Sequence, residues 1–96
     1  MAKEMNDHRI TVNPAAVASF HDDGLVILNS RSGLLFTSNP TGARIWRCIE
    51  RQLPLEAIAL EISAEYQITQ TTAREHTARF LADLERQELI ERRAGL

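Results

Sequence analysis

Residues 22–46, DDGLVILNSRSGLLFTSNPTGARIW, decide the fold of this chain because the hydrophobic pattern changes within them. The Asp-Asp-Gly turn at 22–24 precedes a continuous apolar run at 25–28, which predicts a tight hairpin and a short strand buried on both faces. A second cluster of turn residues at 29–33 leads into an apolar segment at 34–37. The pattern therefore predicts consecutive antiparallel strands before any helix begins.

The chain before the first turn supplies one more strand and an irregular lead-in. Val17 and Phe20 lie in a short segment that ends at this turn, so we expect a three-stranded antiparallel meander. Residues 1–14 have no clear period and are predicted to be a flexible N-terminal segment. Pro14 marks the expected start of the folded domain, which we place at 15–93. A meander of this size leaves strand edges that it cannot cover by itself.

Three helices are predicted after the strands. Asn39 is a good N-cap and Pro40 suits the first helical position, so a helix is expected to run to about Arg51. Two further helices are expected at about 54–66 and 69–88. The apolar stripes of the three helices are Ile45, Trp46, Ile49 and Leu53; then Leu55, Ile58, Ala59, Ile62 and Tyr66; and then Ala73, Thr77, Phe80, Leu81 and Leu84.

The order of these elements indicates the fold class. Strands followed by helices predict an α+β domain in which a three-stranded antiparallel sheet packs against a three-helix bundle. Leu89 and Ile90 are expected to close the domain as a short extended segment.

Composition narrows the class of function. The chain has 96 residues, which is one small domain with little room for a buried catalytic cleft. Its formal net charge of −2 argues against binding to duplex DNA. The sequence has neither an apolar run long enough for a membrane span nor a signal peptide. The single cysteine, Cys48, fits a reducing cytoplasm. An interaction module is therefore the favoured class.

Side chains that could carry chemistry are scattered along the sequence. His8, His21 and His76 lack the spacing of metal ligands. Cys48 lies beside an apolar helical stripe, and no general base can be placed near it. Gly42 belongs to the first turn of a helix, where close backbone packing explains it. We therefore predict no catalytic residue, no metal and no cofactor.

The order of the segments resembles one family of peptide-binding proteins. The residues that carry the likeness are Leu34-Leu35-Phe36, Pro40 to Trp46, Ile58, Tyr66, Phe80-Leu81 and Leu89-Ile90. This pattern is similar to the PqqD family, whose members are small domains also called precursor-peptide recognition elements. The similarity covers about residues 15–92, and Thr-Gly-Ala-Arg-Ile-Trp at 41–46 is its most specific part. Two places depart from the family pattern: residues 50–54 lack its Gly-containing turn and helix cap, and residues 76–77 are His-Thr where Asp-Val is common.

The resemblance implies a fold of the winged helix-turn-helix type and a role without chemistry of its own. A leader segment of a ribosomally made precursor peptide would be held as an added strand and presented to a modifying enzyme. Such partners include radical SAM enzymes and the leader peptidase and cyclase of lasso-peptide pathways. Mapped onto this sequence, the edge strand would supply Leu34, Leu35, Phe36 and Thr37. The wall of the groove would come from the third helix through Arg74, Thr77, Ala78 and Leu81.

Other interpretations remain open from the sequence. A winged-helix DNA-binding regulator would use the same layout, although the negative charge balance of the third helix suits a phosphate-lined groove poorly. A scaffold that dimerises through a strand edge would use the same surface as a peptide, so we expect a monomer or weak homodimer. We expect neither nucleic-acid nor membrane partners. Arg44, Arg47 and Arg51 share one helix face, either as a basic strip for an acidic leader or as a solvated face near Glu50 and Glu56.

Overall fold

The computed structural model describes residues 8–94, which form two small sheets and three helices. In chain order the elements are β1 (His8–Val12), β2 (Ala16–His21), β3 (Gly24–Asn29), β4 (Leu35–Ser38), α1 (Pro40–Glu50), α2 (Leu55–Tyr66), α3 (Gln70–Arg86) and β5 (Ile90–Ala94). Strands β2, β3 and β4 form an antiparallel meander, and β1 pairs with β5 in a two-stranded ribbon. The predicted α+β class, with a three-stranded sheet and three helices, is confirmed. No helix in the described part of the chain is long and apolar enough to cross a membrane.

Two glycines allow the meander to reverse direction. The register pairs His21 with Gly24 across the first turn. Gly24 has a φ of +143° and Gly33 a φ of +80°, which side chains with a Cβ rarely adopt. A Cβ on Gly24 would also collide with the carbonyl of Ser38 on the neighbouring strand. The two turns predicted from the sequence are therefore confirmed.

Only one face of the meander packs against the helices. On β3, Leu25 and Ile27 are fully buried, whereas Val26 and Leu28 on the opposite face are half-buried. The prediction of a strand buried on both faces is wrong, because no second layer of described residues covers the outer face of the sheet. A continuous apolar run does not distinguish these two environments.

Part of the N-terminal region forms a strand, β1, which pairs with β5. Val12 pairs with Ile90, and the N–H of Asn13 donates to the carbonyl of Leu89 at 2.9 Å. The predicted flexible segment is therefore wrong for residues 8–12, since the far end of the chain supplies the partner strand. The extended segment predicted at Leu89 and Ile90 does lead into β5. The rest of the predicted segment before His8 lies outside the described residues.

The helices begin where the sequence predicts. The side-chain oxygen of Asn39 accepts a hydrogen bond from the N–H of Gly42 at 2.9 Å, and Pro40 is the first helical residue of α1. Thr69 caps α3 in the same way by accepting from the N–H of Thr72 at 3.1 Å. Local capping chemistry therefore sets these two boundaries.

One hydrophobic core lies between β3 and the three helices. Trp46 is fully buried, and its indole N–H donates to Glu50 at 2.9 Å. The other fully buried residues of the core include Leu25, Ile27, Ile45, Ile49, Ile58, Ile62, Ala73, Leu81, Leu84 and Leu89. Burying each large aliphatic side chain contributes about 1.5–3 kcal/mol before the entropy cost of folding. Tyr66 and Phe80 differ from the predicted stripes, because Tyr66 is exposed and Phe80 lies half-buried at the rim.

Candidate functional site

The outer edge of β4 has no paired strand among the described residues. The N–H of Asn29 donates to the carbonyl of Leu34 at 2.9 Å, which fixes the phase of the ladder between β3 and β4. In an antiparallel pair, the backbone N–H and C=O groups of successive residues point alternately toward and away from the partner strand. The N–H and C=O groups of Phe36 therefore point toward β3. The N–H and C=O groups of Leu35 and Thr37 therefore point toward the open edge, where an extended chain could bond to them.

The side chains of the predicted edge strand divide between two faces. Leu34 and Leu35 are 60% and 64% exposed, and Thr37 is also exposed. Phe36 faces the helices and packs edge-on against Phe80, with 5.8 Å between the ring centroids. One of the four residues therefore joins the edge of β4 to α3, while the others remain accessible.

The four residues of α3 that the sequence predicts as the wall of the groove do not lie on one surface of the structure. Thr77 and Leu81 are both 0% exposed, so they support α3 from inside the core and offer no surface to a ligand. The hydroxyl of Thr77 has no hydrogen-bond partner among the described residues. For these two residues the predicted ligand contact is contradicted by their burial.

Arg74 and Ala78 lie on the flank of α3 that faces away from β4. They line a cavity together with Ile10 of β1, Arg92 of β5 and the start of α2. Arg74 also donates to the carboxylate of Glu56 at 2.7 Å. The structure therefore does not bring these two residues together with the edge of β4.

A different face of α3 lies beside the end of β4. His76, Arg79, Phe80 and Asp83 line a cleft with Ser38 and the first turn of α1. Their spacing of three, four and seven residues places them on one face of a helix. We call this cleft, together with the open edge of β4, the β4–α3 groove. The sequence contains that spacing, but helical periodicity places Phe80 in the core stripe, and no sequence pattern connects the neighbouring polar residues with the edge strand.

Gly42 allows α1 to lie close to Phe80 of α3 and to Ser38 of β4 in this groove. A Cβ at this position would lie 2.8 Å from Cε1 of Phe80 and would collide with the hydroxyl oxygen of Ser38. The expected explanation by close packing is therefore confirmed, and the contact that requires glycine lies in the β4–α3 groove itself.

The arginines of α1 are largely engaged with neighbours. Arg44 pairs with Glu65 at 3.1 Å, and Arg51 makes two hydrogen bonds to Glu61 at 3.2 and 3.1 Å. The guanidinium of Arg47 lies 3.8 Å from the ring centroid of Phe20. This arrangement favours the interpretation of a solvated, ion-paired face over that of a free basic strip, although the carboxylates come from α2.

Cys48 has the surroundings of a structural thiol. Its side chain is fully buried, and its sulfur donates to a carboxylate oxygen of Glu61 at 3.5 Å. Burial, and then the negative charge of Glu61, raise the pKa of the Cys48 thiol, so it stays protonated at neutral pH. Across residues 8–94, no group of three or more His, Cys, Asp or Glu side chains is placed to hold a metal ion.

Comparison with known proteins places this geometry in context. The sequence model of the PqqD family, described as coenzyme PQQ synthesis protein D, matches residues 24–90. A solved structure of TbiB1 in complex with the TbiA(beta) leader peptide is 32% identical and has a TM-score of 0.79, over 84% of this chain and 94% of that chain. A structure of lasso peptide synthetase B1 complexed with the leader peptide is 23% identical and has a TM-score of 0.78, over 85% and 96%. The second likeness shows the fold alone. No curated protein matches the sequence.

Proposed function

Because this chain belongs to the PqqD family, we propose that it is a non-enzymatic adaptor that binds the leader region of a ribosomally synthesised precursor peptide and presents it to a modifying enzyme. The TbiB1 structure holds a leader peptide, and we extend that role to this chain. The observation that carries the proposal is the open edge of β4 beside the face of α3 that contains Phe80.

Binding would occur by strand addition. The N–H and C=O groups of Leu35 and Thr37 would bond to an extended leader, while alternate leader side chains would enter the β4–α3 groove. Four such hydrogen bonds contribute roughly 2–6 kcal/mol, whereas micromolar affinity needs about 8 kcal/mol. Apolar leader residues packed beside Phe36 and Phe80 would supply the remainder. No catalytic side chain is needed.

The cavity on the other flank of α3 suits this mode of binding poorly. Ile10 and Arg92 are cross-strand partners in the ribbon of β1 and β5, and both line that cavity. Their side chains therefore project from the face of the ribbon, where the strands already pair with each other. A peptide in that cavity would meet the side chains on the face of the ribbon. We therefore assign the leader to the β4–α3 groove.

The alternative of a DNA-binding regulator gains no support. The observed α3 ends at Arg86 and contains three arginines and three carboxylates, so it is neutral rather than negative as predicted. Arg74 and Arg86 are held in ion pairs with Glu56 and Asp83. A neutral helix with most of its cations engaged is a poor match for phosphates.

The partner enzyme, of the radical SAM or lasso-maturation type, and the cytoplasmic location remain parts of the proposal.

The proposal is tested by removing one outward N–H from the edge of β4. We expect Leu35→Pro to weaken binding of the leader encoded beside this chain's gene by about tenfold or more, because proline removes a donor and its ring blocks the edge. Ala18→Pro is the matched control, since the same alternation places the N–H of Ala18 on the open edge of β2. Fluorescence anisotropy measures affinity, and circular dichroism monitors the fold.

Amide chemical shifts supply an independent readout on the unmodified protein. Leader titration should perturb Leu35, Thr37 and the Phe80 face of α3. Equal loss of binding in both proline variants, or shifts confined to the cavity around Ala78, would contradict the assignment. A tight, salt-sensitive complex with duplex DNA would instead support the regulator.

A further inference from the structure

The three arginines of α3 have different surroundings. Arg74 pairs with Glu56, and Arg86 pairs with Asp83. Arg79 is exposed, and within the described residues it forms no ion pair. It also lines the cleft at the end of β4. Among residues 8–94, the arginine of α3 that has no carboxylate partner therefore lies in the β4–α3 groove.

The other charged side chain of the cleft does not pair with the guanidinium of Arg79. Asp83 lines the same cleft, but its carboxylate is bound by Arg86. The first turn of α1 on the opposite side contains no acidic residue. His76 adds an imidazole one turn before Arg79 on the same face. Glu75 lies one turn before Arg79 on α3 but does not line this cleft. The guanidinium of Arg79 is therefore the charge in the cleft that no carboxylate of residues 8–94 pairs.

We propose that Arg79 is a specificity-determining residue that selects an acidic side chain in the leader. This inference rests on the proposed function, since it needs a strand added beside β4. A leader side chain that faces α3 near Ser38 would reach the guanidinium, which bonds carboxylates through two parallel N–H groups. A lysine at that leader position would face an unpaired cation and be rejected.

The test uses the leader of the adjacent precursor gene as a synthetic peptide, with each residue replaced in turn by Glu and by Lys. At one position facing α3, we expect the Glu peptide to bind the wild-type protein about fivefold to tenfold more tightly than the Lys peptide. Arg79→Ala should remove this preference, and Arg79→Glu should invert it. Arg74→Ala is the matched control on the other flank of α3 and should leave the preference unchanged.

The outcomes separate this inference from the proposed function. If the leader binds and Leu35→Pro weakens binding as expected, but the preference is absent or survives in Arg79→Ala, the role of Arg79 is wrong and strand addition stands. If the wild-type protein does not bind the leader, the proposed function itself fails. Inversion by Arg79→Glu with an intact fold would be difficult to explain by a structural role alone.

Discussion

The two flanks of α3 both carry cavities, but one faces the side chains of the ribbon and the other lies at the end of β4, the edge strand of the meander. On the side of the ribbon, the cavity has a volume of about 600 Å³ and contains Arg74 and Ala78. On the side of β4, the cleft has a volume of about 320 Å³ and contains Arg79 and Phe80. The larger cavity is backed by strands that already pair with each other. The smaller one lies at the end of β4, whose outer edge has no paired strand among the described residues, and an open edge is what an extended peptide needs.

The comparison shows that volume and apolar character do not by themselves identify a peptide site. Backbone N–H and C=O groups are obligatory hydrogen-bonding groups, so a peptide that leaves its own groups unpaired loses much of its binding free energy. The open edge of a strand satisfies them, and side chains on the face of a ribbon do not. The following predictions distinguish the two flanks.

The largest effect is expected from Phe80. Replacing it by alanine removes the edge-on contact with Phe36 and the apolar wall of the β4–α3 groove. We expect Phe80→Ala to weaken leader binding on the order of thirtyfold and to lower the free energy of unfolding by about 1–3 kcal/mol, because the ring is only half-buried. Titration calorimetry and urea unfolding measure the two quantities.

The matched variant on the opposite flank is Ala78→Leu. It places extra bulk in the cavity beside Ile10 and Arg92, and we expect leader affinity to stay within about twofold of wild type. If Ala78→Leu blocked binding while Phe80→Ala did not, the wall first predicted from the sequence would be correct and the assignment to the β4–α3 groove would be wrong.

An intermediate effect is expected from Gly42→Ala. The added Cβ must displace the ring of Phe80, which would lie 2.8 Å away, and the hydroxyl of Ser38. The new Cβ would also lie 2.8 Å from the Cβ of Ser38, which cannot rotate away. Alanine in a helix gains about 1 kcal/mol over glycine and offsets only part of this strain, so we expect stability to fall by about 1–2 kcal/mol while leader binding weakens about threefold to tenfold. Arg44→Ala on the same helix is the control, since it removes only an exposed ion pair. Unchanged affinity in Gly42→Ala would show that the ring position is unimportant.

The smallest effect concerns the ribbon side and depends on pH. A hydrogen bond from Arg92, at 2.7 Å, and the charge of that guanidinium hold the pKa of Glu85 below its ordinary value. A carboxylate whose pKa is lowered by folding stabilises the protein above its ordinary pKa, and this stabilisation is lost as the pH falls through the lowered value. We expect the melting temperature of Glu85→Gln to be slightly below that of wild type at neutral pH, and the difference to vanish in acid.

The same variant should affect stability without affecting leader affinity. Because Glu85 and Arg92 join α3 to the ribbon, Glu85→Gln should not change binding at the β4–α3 groove. A difference in melting temperature that persisted in strong acid would show that the ion pair is not its origin.

Much of the fold could be predicted because its signals are local. The cap at Asn39 with Pro40, the cap at Thr69 and the turn before Gly24 act within a few residues of the chain. The strand that became β1 gave no such signal. Its partner, β5, lies near the other end of the sequence, and a pairing over that distance leaves no local pattern.

The candidate site was predictable on the strand and less so on the helix. The residues of the edge strand follow from its place at the end of the meander, which sequence order reveals. On α3, helical periodicity separates buried from exposed positions, but it does not say which exposed flank faces β4. The sequence therefore predicts Arg74 and Ala78 as the wall of the groove, whereas the structure places Arg79 and Phe80 beside the strand.

The amino-acid sequence by itself determined the three strands of the meander, the three helices, their order and the likeness to one family, because capping, turn conformation and hydrophobic period depend on neighbouring residues. Only the tertiary structure decided which flank of α3 meets the open edge of β4 and which arginine of α3 pairs with no carboxylate among residues 8–94. Those outcomes depend on how α1 and α3 rotate against the sheet when the core closes, and the close contact of Phe80 with Gly42 depends on the same packing.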